Sequence, residues 1–151
     1  MPTAAIALGS NLGDAAANVR KALTALAAAG EVCAVSRLYE SDPWGVEDQP
    51  QFINAVALVN TELEPRALLS ELKRIEHELG RTATYKWGPR VIDLDIIYFD
   101  DEHIDEPGLQ IPHPHFRERA FVLVPLAEVD QRYAALAAAS PDLKKLKLLS
   151  P

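Results

Sequence analysis

Residues 65–80 constrain the fold more than any other part of this sequence. Leu68, Leu72, Ile75 and Leu79 recur at intervals that place them on one face of an α-helix. The segment begins with a proline, which suits a first helical turn, and ends with a glycine, which commonly terminates a helix. It therefore predicts an amphipathic helix that must pack against an apolar surface such as a sheet.

The apolar segments around this helix predict a sheet with a second helix. A helix capped by Asp14 carries Val19, Leu23 and Leu26 at helical spacing and ends near Gly30. The order strand, helix, strand, strand, helix, strand indicates an α+β, ferredoxin-like split βαβ domain, an antiparallel sheet with helices packed on it. The predicted strands cover residues 3–9, 31–40, 52–60 and 91–99.

The rest of the chain gives weaker signals. We expect a short hairpin within residues 102–111 and an apolar element over 120–129 that is interrupted near Pro125. From about residue 140, lysines alternate with leucines, and we expect this tail to pack weakly.

Length and charge restrict the class of protein. A chain of 151 residues with 48% hydrophobic residues fits one globular domain spanning 1–151. A net charge of −7 argues against a nucleic acid or an anionic membrane as partner. With Cys33 as its one cysteine, the chain contains no internal disulfide, which fits a reducing compartment. We expect a cytoplasmic monomer.

Asp93 and Asp95 form the sharpest chemical feature. They alternate with Leu94 in an apolar strand, so both carboxylates point to the same face while Leu94 and Ile96 point to the other. Two adjacent carboxylates repel each other unless a cation lies between them. The pattern predicts a magnesium site, because Mg²⁺ prefers oxygen ligands and is often shared with substrate phosphates. Pairing with nearby arginines is the structural alternative.

Two basic segments flank this acid pair. Their cationic residues indicate a site for a polyanion bound with metal, such as a nucleoside triphosphate. Any one of them could instead be an ordinary surface residue. The residues are Arg81, Lys86 and Arg90 before the pair, and His113, His115, Arg117 and Arg119 after it.

Several other side chains have both a binding and a structural interpretation. Phe52, Trp87 and Phe121 could stack on an aromatic ligand or anchor the core, and the amide of Asn54 could match a heterocycle edge. Glu76 could approach the site or pair with Lys73. Residues 41–50 form a Pro- and Gly-bearing loop long enough to be a functional lid. Residues 9–13 lack the ending of a P-loop and predict a strand-to-helix turn.

Four motifs in this order resemble the 6-hydroxymethyl-7,8-dihydropterin pyrophosphokinases over about residues 4–129. The resemblance implies a ferredoxin-like core and transfer of a pyrophosphoryl group from ATP, the co-substrate, to the pterin hydroxymethyl group, with release of AMP in folate biosynthesis. The motifs are Ala7-Leu8-Gly9-Ser10-Asn11-Leu12-Gly13; Asp48-Gln49-Pro50 with Phe52 and Asn54; Trp87-Gly88-Pro89-Arg90 with Asp93-Leu94-Asp95; and Pro112-His113 with Arg119 and Phe121.

The resemblance also implies roles for individual residues. Asp93 and Asp95 would hold Mg²⁺, and Phe52 and Phe121 would stack on the two faces of the pterin. Arg81, Arg90, Asp95 and His113 would serve catalysis, with Arg81 on a mobile loop. The pterin would be surrounded by Ser41, Pro43, Trp44, Phe52, Asn54 and Phe121, and ATP would meet Glu76, Trp87, Arg90, Ile96, His113 and Arg119.

Three departures from the family pattern accompany the match. Ala83 stands where many relatives have a second loop arginine, Lys86 replaces an arginine, and the C-terminal region is short. Losing a guanidinium could weaken ATP binding. Two other functions remain open at this point: a sensor that binds pterin or nucleotide without turnover, and a metal-dependent phosphohydrolase.

Overall fold

A computed structural model describes residues 1–42, 50–80 and 91–149. Within these ranges, helices and the strands of an antiparallel sheet follow one another along the chain. The strands are β1 (Thr3–Ser10), β2 (Glu31–Val35), β3 (Tyr39–Ser41), β4 (Phe52–Asn60), β5 (Asp93–Phe99), β6 (Ile104–Glu106), β7 (Leu109–Ile111) and β8 (Lys147–Leu148), and the helices are α1 (Ala15–Ala25), α2 (Pro65–Glu78), α3 (Ala120–Val129) and α4 (Ala134–Ala138).

The sheet places β1 at its centre. β1 pairs antiparallel with β4 on one side and with β5 on the other. β4 pairs with β2 along one half of its length and with β3 along the other half, while β8 pairs with β3. β5 therefore forms one edge of the sheet.

Helices cover both faces of this sheet. α1 and α2 bury one face, where Ile6, Leu72 and Leu94 belong to the same core. α3 covers the opposite face through Leu123 and Leu126. Burying a leucine or isoleucine side chain contributes about 1.5–3 kcal/mol, so both layers stabilise the sheet. In the described ranges, no helix has the length and apolarity needed to cross a membrane.

The predicted helices and most strands are confirmed. Asp14 caps α1 by accepting a hydrogen bond from the amide of Ala17 at 3.1 Å. α2 starts at Pro65 and stops just before Gly80, which has a φ of +98°. Gly30 has a different role from the one expected, since a Cβ there would lie 2.2 Å from the Asn60 carbonyl oxygen. Its missing side chain allows the backbone to approach β4.

Two expectations about continuity were wrong. The strand predicted over 31–40 is split, because the amide of Arg37 donates to Glu128 instead of pairing with β4. α3 runs through Pro125 without interruption, and burial of the apolar residues on either side of the proline offsets the missing hydrogen bond. The tail, expected to pack weakly, contains β8, whose two residues are exposed, and it meets the sheet through β3 and through the amide of Leu149, which donates to the Leu38 carbonyl at 2.9 Å.

Candidate active site

Asp93 and Asp95 lie on the face of β5 that looks toward α3. They pair with Gly9 and Ala7 of β1, respectively. Leu94, between them, is fully buried in the core on the opposite face. The predicted alternation is confirmed, and it brings two carboxylates together at the border of two cavities.

The first cavity has a volume of about 300 Å³ and lies at the β3 and β4 end of the sheet. The small residues Ala7 and Gly9 of β1 leave room in it. Its aromatic and amide walls come from four residues of the predicted pterin site: Ser41, Phe52, Asn54 and Phe121.

The second cavity has a volume of about 880 Å³ and lies beside the hairpin of β6 and β7. Ile96 and Lys73 also line it. The two cavities share four residues that we call the junction residues. These are Asp93, Asp95, His113 and Arg119.

The junction concentrates charge in a poorly solvated place. Burial, together with the carboxylates of Asp93 and Glu76, raises the pKa of Asp95 to about 7. Burial also lowers the pKa of the Arg119 guanidinium, against the opposing effect of Asp95 and Asp93. A negative charge on both Asp93 and Asp95 is thus unfavourable without a cation, as expected for a site that binds a cation.

His113 is held as a neutral hydrogen-bond donor. Burial, followed by the charges of Arg119 and His115, lowers its pKa to about 4. Its Nδ1 accepts from the amide of His115 at 3.2 Å, so the neutral ring carries its proton on Nε2. The amide of His113 donates to the Ile97 carbonyl at 2.8 Å, which ties the histidine to β5.

Comparison with known families adds independent evidence. Residues 5–131 match the family model described as 7,8-dihydro-6-hydroxymethylpterin-pyrophosphokinase (HPPK). The chain belongs to the HPPK family.

Curated relatives of the HPPK family agree with this assignment. A Bacillus subtilis protein named 2-amino-4-hydroxy-6-hydroxymethyldihydropteridine pyrophosphokinase is 50% identical over 129 residues, covering 84% of this chain and 77% of the relative. A protein of the same name from Pseudomonas aeruginosa is 48% identical, covering 82% and 78%. The predicted family is confirmed.

Solved structures share the HPPK fold at low identity. One HPPK-DHPS structure, described as being in complex with substrates, matches with a TM-score of 0.70 at 15% identity, over 91% of this chain. A Plasmodium falciparum HPPK-DHPS variant with pterin and p-hydroxybenzoate gives a TM-score of 0.72 over 97% of this chain. The chain spans 43% and 47% of the length of these two solved chains.

The junction fits the magnesium ion predicted from the sequence. Asp93 and Asp95 offer oxygen donors alone, which Mg²⁺ prefers, and two carboxylates leave positions for waters and phosphate oxygens. Within residues 1–42, 50–80 and 91–149, no group of three or more His, Cys, Asp or Glu side chains forms a separate metal cluster. The donor set of Asp93 and Asp95 therefore suits Mg²⁺.

Other predicted site residues are placed differently or lie outside the described residues. Glu76 lies behind β5 rather than on the wall of either cavity, and its pairing with Lys73 is present at 3.4 Å. Most of the predicted lid at 41–50 and six further predicted residues lie outside the described part of the chain. The six residues are Pro43, Trp44, Arg81, Lys86, Trp87 and Arg90.

The sequence reasoning missed some residues that line the cavities. Asp42 lines the first cavity, and its carboxylate accepts from the Gln51 side chain at 3.1 Å. Lys73 lines the second cavity, and its position one helical turn before Glu76 was a usable signal. The hairpin residues 105–110 carried no signal beyond their turn, because only the folded chain brings them to the acid pair.

Proposed function

We infer that this chain is an ATP-dependent pyrophosphokinase. It transfers diphosphate from ATP to the hydroxymethyl group of 6-hydroxymethyl-7,8-dihydropterin and releases AMP, in folate biosynthesis. The observation that carries the inference is the junction, where an aromatic cavity and a larger polar cavity meet at two carboxylates and two nitrogen donors. Family membership supports the same reaction.

The two cavities suit the two substrates. The first, with Phe52, Asn54 and Phe121, fits a flat heterocycle that needs stacking and an amide partner. The second fits a nucleotide, with its base beside Ile96 and its phosphates toward the junction. This arrangement would place the pterin hydroxyl next to the phosphate chain, and positioning of this kind supplies much of the rate enhancement in phosphoryl transfer.

The reaction forms a bond between the pterin hydroxymethyl oxygen and the β-phosphorus. The hydroxyl proton is released, the bond between that phosphorus and the bridging oxygen of the α-phosphate breaks, and the electron pair leaves with AMP. Asp93 and Asp95 would hold Mg²⁺, which supplies charge neutralisation for the phosphates when bound. Arg119 would pair with a phosphate oxygen, and His113 would donate its Nε2 proton in a hydrogen bond to another.

We also propose the finer architecture and setting of the enzyme. The order β5, β1, β4 and then β2 with β3, all antiparallel, supports the ferredoxin-like split βαβ arrangement. We propose one domain over residues 1–151 that acts as a monomer in the cytoplasm, on small molecules rather than nucleic acid or membranes, which the net charge of −7 supports.

The test measures AMP release from ATP and Mg²⁺, with and without 6-hydroxymethyl-7,8-dihydropterin. We expect pterin-dependent AMP from the wild type and a loss of roughly 100-fold or more in Asp95→Asn. Asp101→Asn, the same change at an exposed residue just beyond β5, should stay within about 2-fold of the wild type. Release of ADP or phosphate would indicate a phosphohydrolase, and binding without turnover would indicate a sensor.

A further inference from the structure

Glu76 is a buried carboxylate on α2 that contacts the backbone of the acid pair. Its relative exposure is 3%. One oxygen, Oε2, accepts a hydrogen bond from the Leu94 amide at 2.8 Å, and the other, Oε1, lies 3.4 Å from Lys73 Nζ. Burying a carboxylate costs free energy unless such partners compensate its charge. The two contacts therefore favour a hydrogen-bond acceptor at this position.

The amide that Glu76 binds belongs to the residue between the two predicted metal ligands. Among the strands that the structure describes, β5 lies at the edge of the sheet, so some of its N–H groups meet no neighbouring strand there. The Glu76 carboxylate accepts a hydrogen bond from the Leu94 N–H. The Leu94 side chain is fully buried in the core that also contains Ile75 of α2. The Asp93-Leu94-Asp95 segment is thus fixed through both a side chain and a peptide group.

We propose that Glu76 is the positioning residue of the acid pair. By holding the Leu94 peptide, it sets the orientation in which Asp93 and Asp95 can share one Mg²⁺ with a nucleotide. This proposal rests on the proposed function for the identity of the metal and nucleotide. Groups that orient metal ligands commonly change metal affinity 10–100-fold when removed.

Three variants separate positioning from a general role in stability. Glu76→Met keeps most of the side-chain volume but removes the acceptor. Glu76→Gln keeps an acceptor oxygen for the Leu94 amide and removes the charge. Glu78→Met makes the same change at an exposed residue of the same helix, where Glu78 pairs with Arg74.

Two measurements are made on each variant of the full chain. Amide hydrogen exchange by NMR reports whether the Leu94 N–H is still bonded. Calorimetric binding of a non-hydrolysable ATP analogue at increasing Mg²⁺ gives the half-saturating Mg²⁺ concentration. AMP formation is measured separately, so a wild type without turnover would overturn the proposed function and leave the test of Glu76 intact.

We expect Glu76→Met to speed Leu94 exchange at least 10-fold and to raise the half-saturating Mg²⁺ concentration 10–100-fold. Glu76→Gln should keep both within about 3-fold of the wild type, and Glu78→Met should change neither. A folded Glu76→Met with unchanged Mg²⁺ dependence would overturn the proposal. A rise in the half-saturating Mg²⁺ concentration in Glu76→Gln as large as that in Glu76→Met would also overturn it, because the lost charge would then be the cause. If Glu76→Met does not fold, Glu76→Ala, which also removes the acceptor, is measured in its place against the same limits.

Discussion

The side-chain amide of Asn54 donates to the hydroxyl of Ser41 over 2.7 Å and joins β4 to β3 at the wall of the first cavity. The same nitrogen lies 3.3 Å from the Tyr39 carbonyl oxygen. With its nitrogen bound to protein acceptors, Asn54 turns its Oδ1 toward Gly9, where an added Cβ would lie 3.5 Å away. A ligand in the cavity would therefore meet a hydrogen-bond acceptor.

Asn54→Ala should weaken pterin binding more than catalysis. Loss of one buried hydrogen bond costs about 1–3 kcal/mol, which corresponds to a roughly 5- to 150-fold rise in the KM for the pterin. Steady-state AMP formation at saturating ATP measures it. Asn60→Ala is the control, since Asn60 lies on the same strand and accepts from Thr3 at 2.8 Å, away from the cavity. An equal KM change in both variants would contradict the role given to Asn54.

Asn11 should act through Pro50, two residues before Phe52 of the first cavity. Its side chain is 1% exposed and donates to the Pro50 carbonyl at 3.2 Å. We expect Asn11→Ala to raise the KM for the pterin by about 3- to 10-fold, as for one neutral hydrogen bond.

Asn18→Ala provides the control for Asn11. Asn18 donates to the Leu12 carbonyl at 2.8 Å in the same turn, without contacting Pro50. Asn18→Ala should lower the Tm of the protein and leave the KM for the pterin unchanged. Unaltered pterin kinetics in Asn11→Ala would show that the contact with Pro50 serves stability alone.

His113 should stay neutral in the free protein throughout the physiological pH range. Its pKa of about 4 means that the ring is uncharged above about pH 5.5. NMR of the imidazole should show no titration between about pH 5.5 and 8, and the proton should be on Nε2. A midpoint near the ordinary value of about 6.5 would contradict this assignment.

Glu128 should make stability sensitive to acid. Burial raises its pKa, but the hydrogen bonds from Arg37 and Tyr39 outweigh burial and leave the pKa below the usual 4.5. The unfolded state therefore binds more protons as the pH falls toward that value, so the stabilisation is complete above about pH 4.5 and is lost on further acidification.

Unfolding by urea across this acid range tests the contribution of Glu128. Glu128→Gln should lower the free energy of unfolding at neutral pH and flatten its acid dependence. Glu102→Gln, at an exposed turn residue, should leave the wild-type profile unchanged. An unchanged acid limb in Glu128→Gln would show that other carboxyls control it.

The sequence predicted the elements whose signals are local. The spacing of Leu68, Leu72 and Ile75 predicted α2, and the alternation around Leu94 predicted the common face of the acid pair. Contacts between distant segments were not predictable in this way. The split between β2 and β3 depends on Arg37 meeting Glu128, 91 residues away, and no periodicity reports that contact.

In the candidate site, too, local motifs predicted some residues, whereas others depend on tertiary packing. Motifs located Phe52, Asn54, Phe121 and the acid pair, and all of them line the first cavity. Whether Glu76 would approach the site or pair with Lys73 could not be decided, because its distance from Leu94 depends on how α2 packs against β5. The contribution of the hairpin to the second cavity depends on tertiary packing in the same way.

The unequal use of the two sheet faces matters to anyone who wishes to engineer this chain. The first cavity opens on the α3 side, while the core under α1 and α2 contains small buried residues such as Ala22 and Ala29. Larger apolar residues could be introduced there, together with compensating changes nearby, to make the enzyme more resistant to inactivation. The substrate-facing layer would keep its own side chains, so durability and selectivity could be adjusted separately.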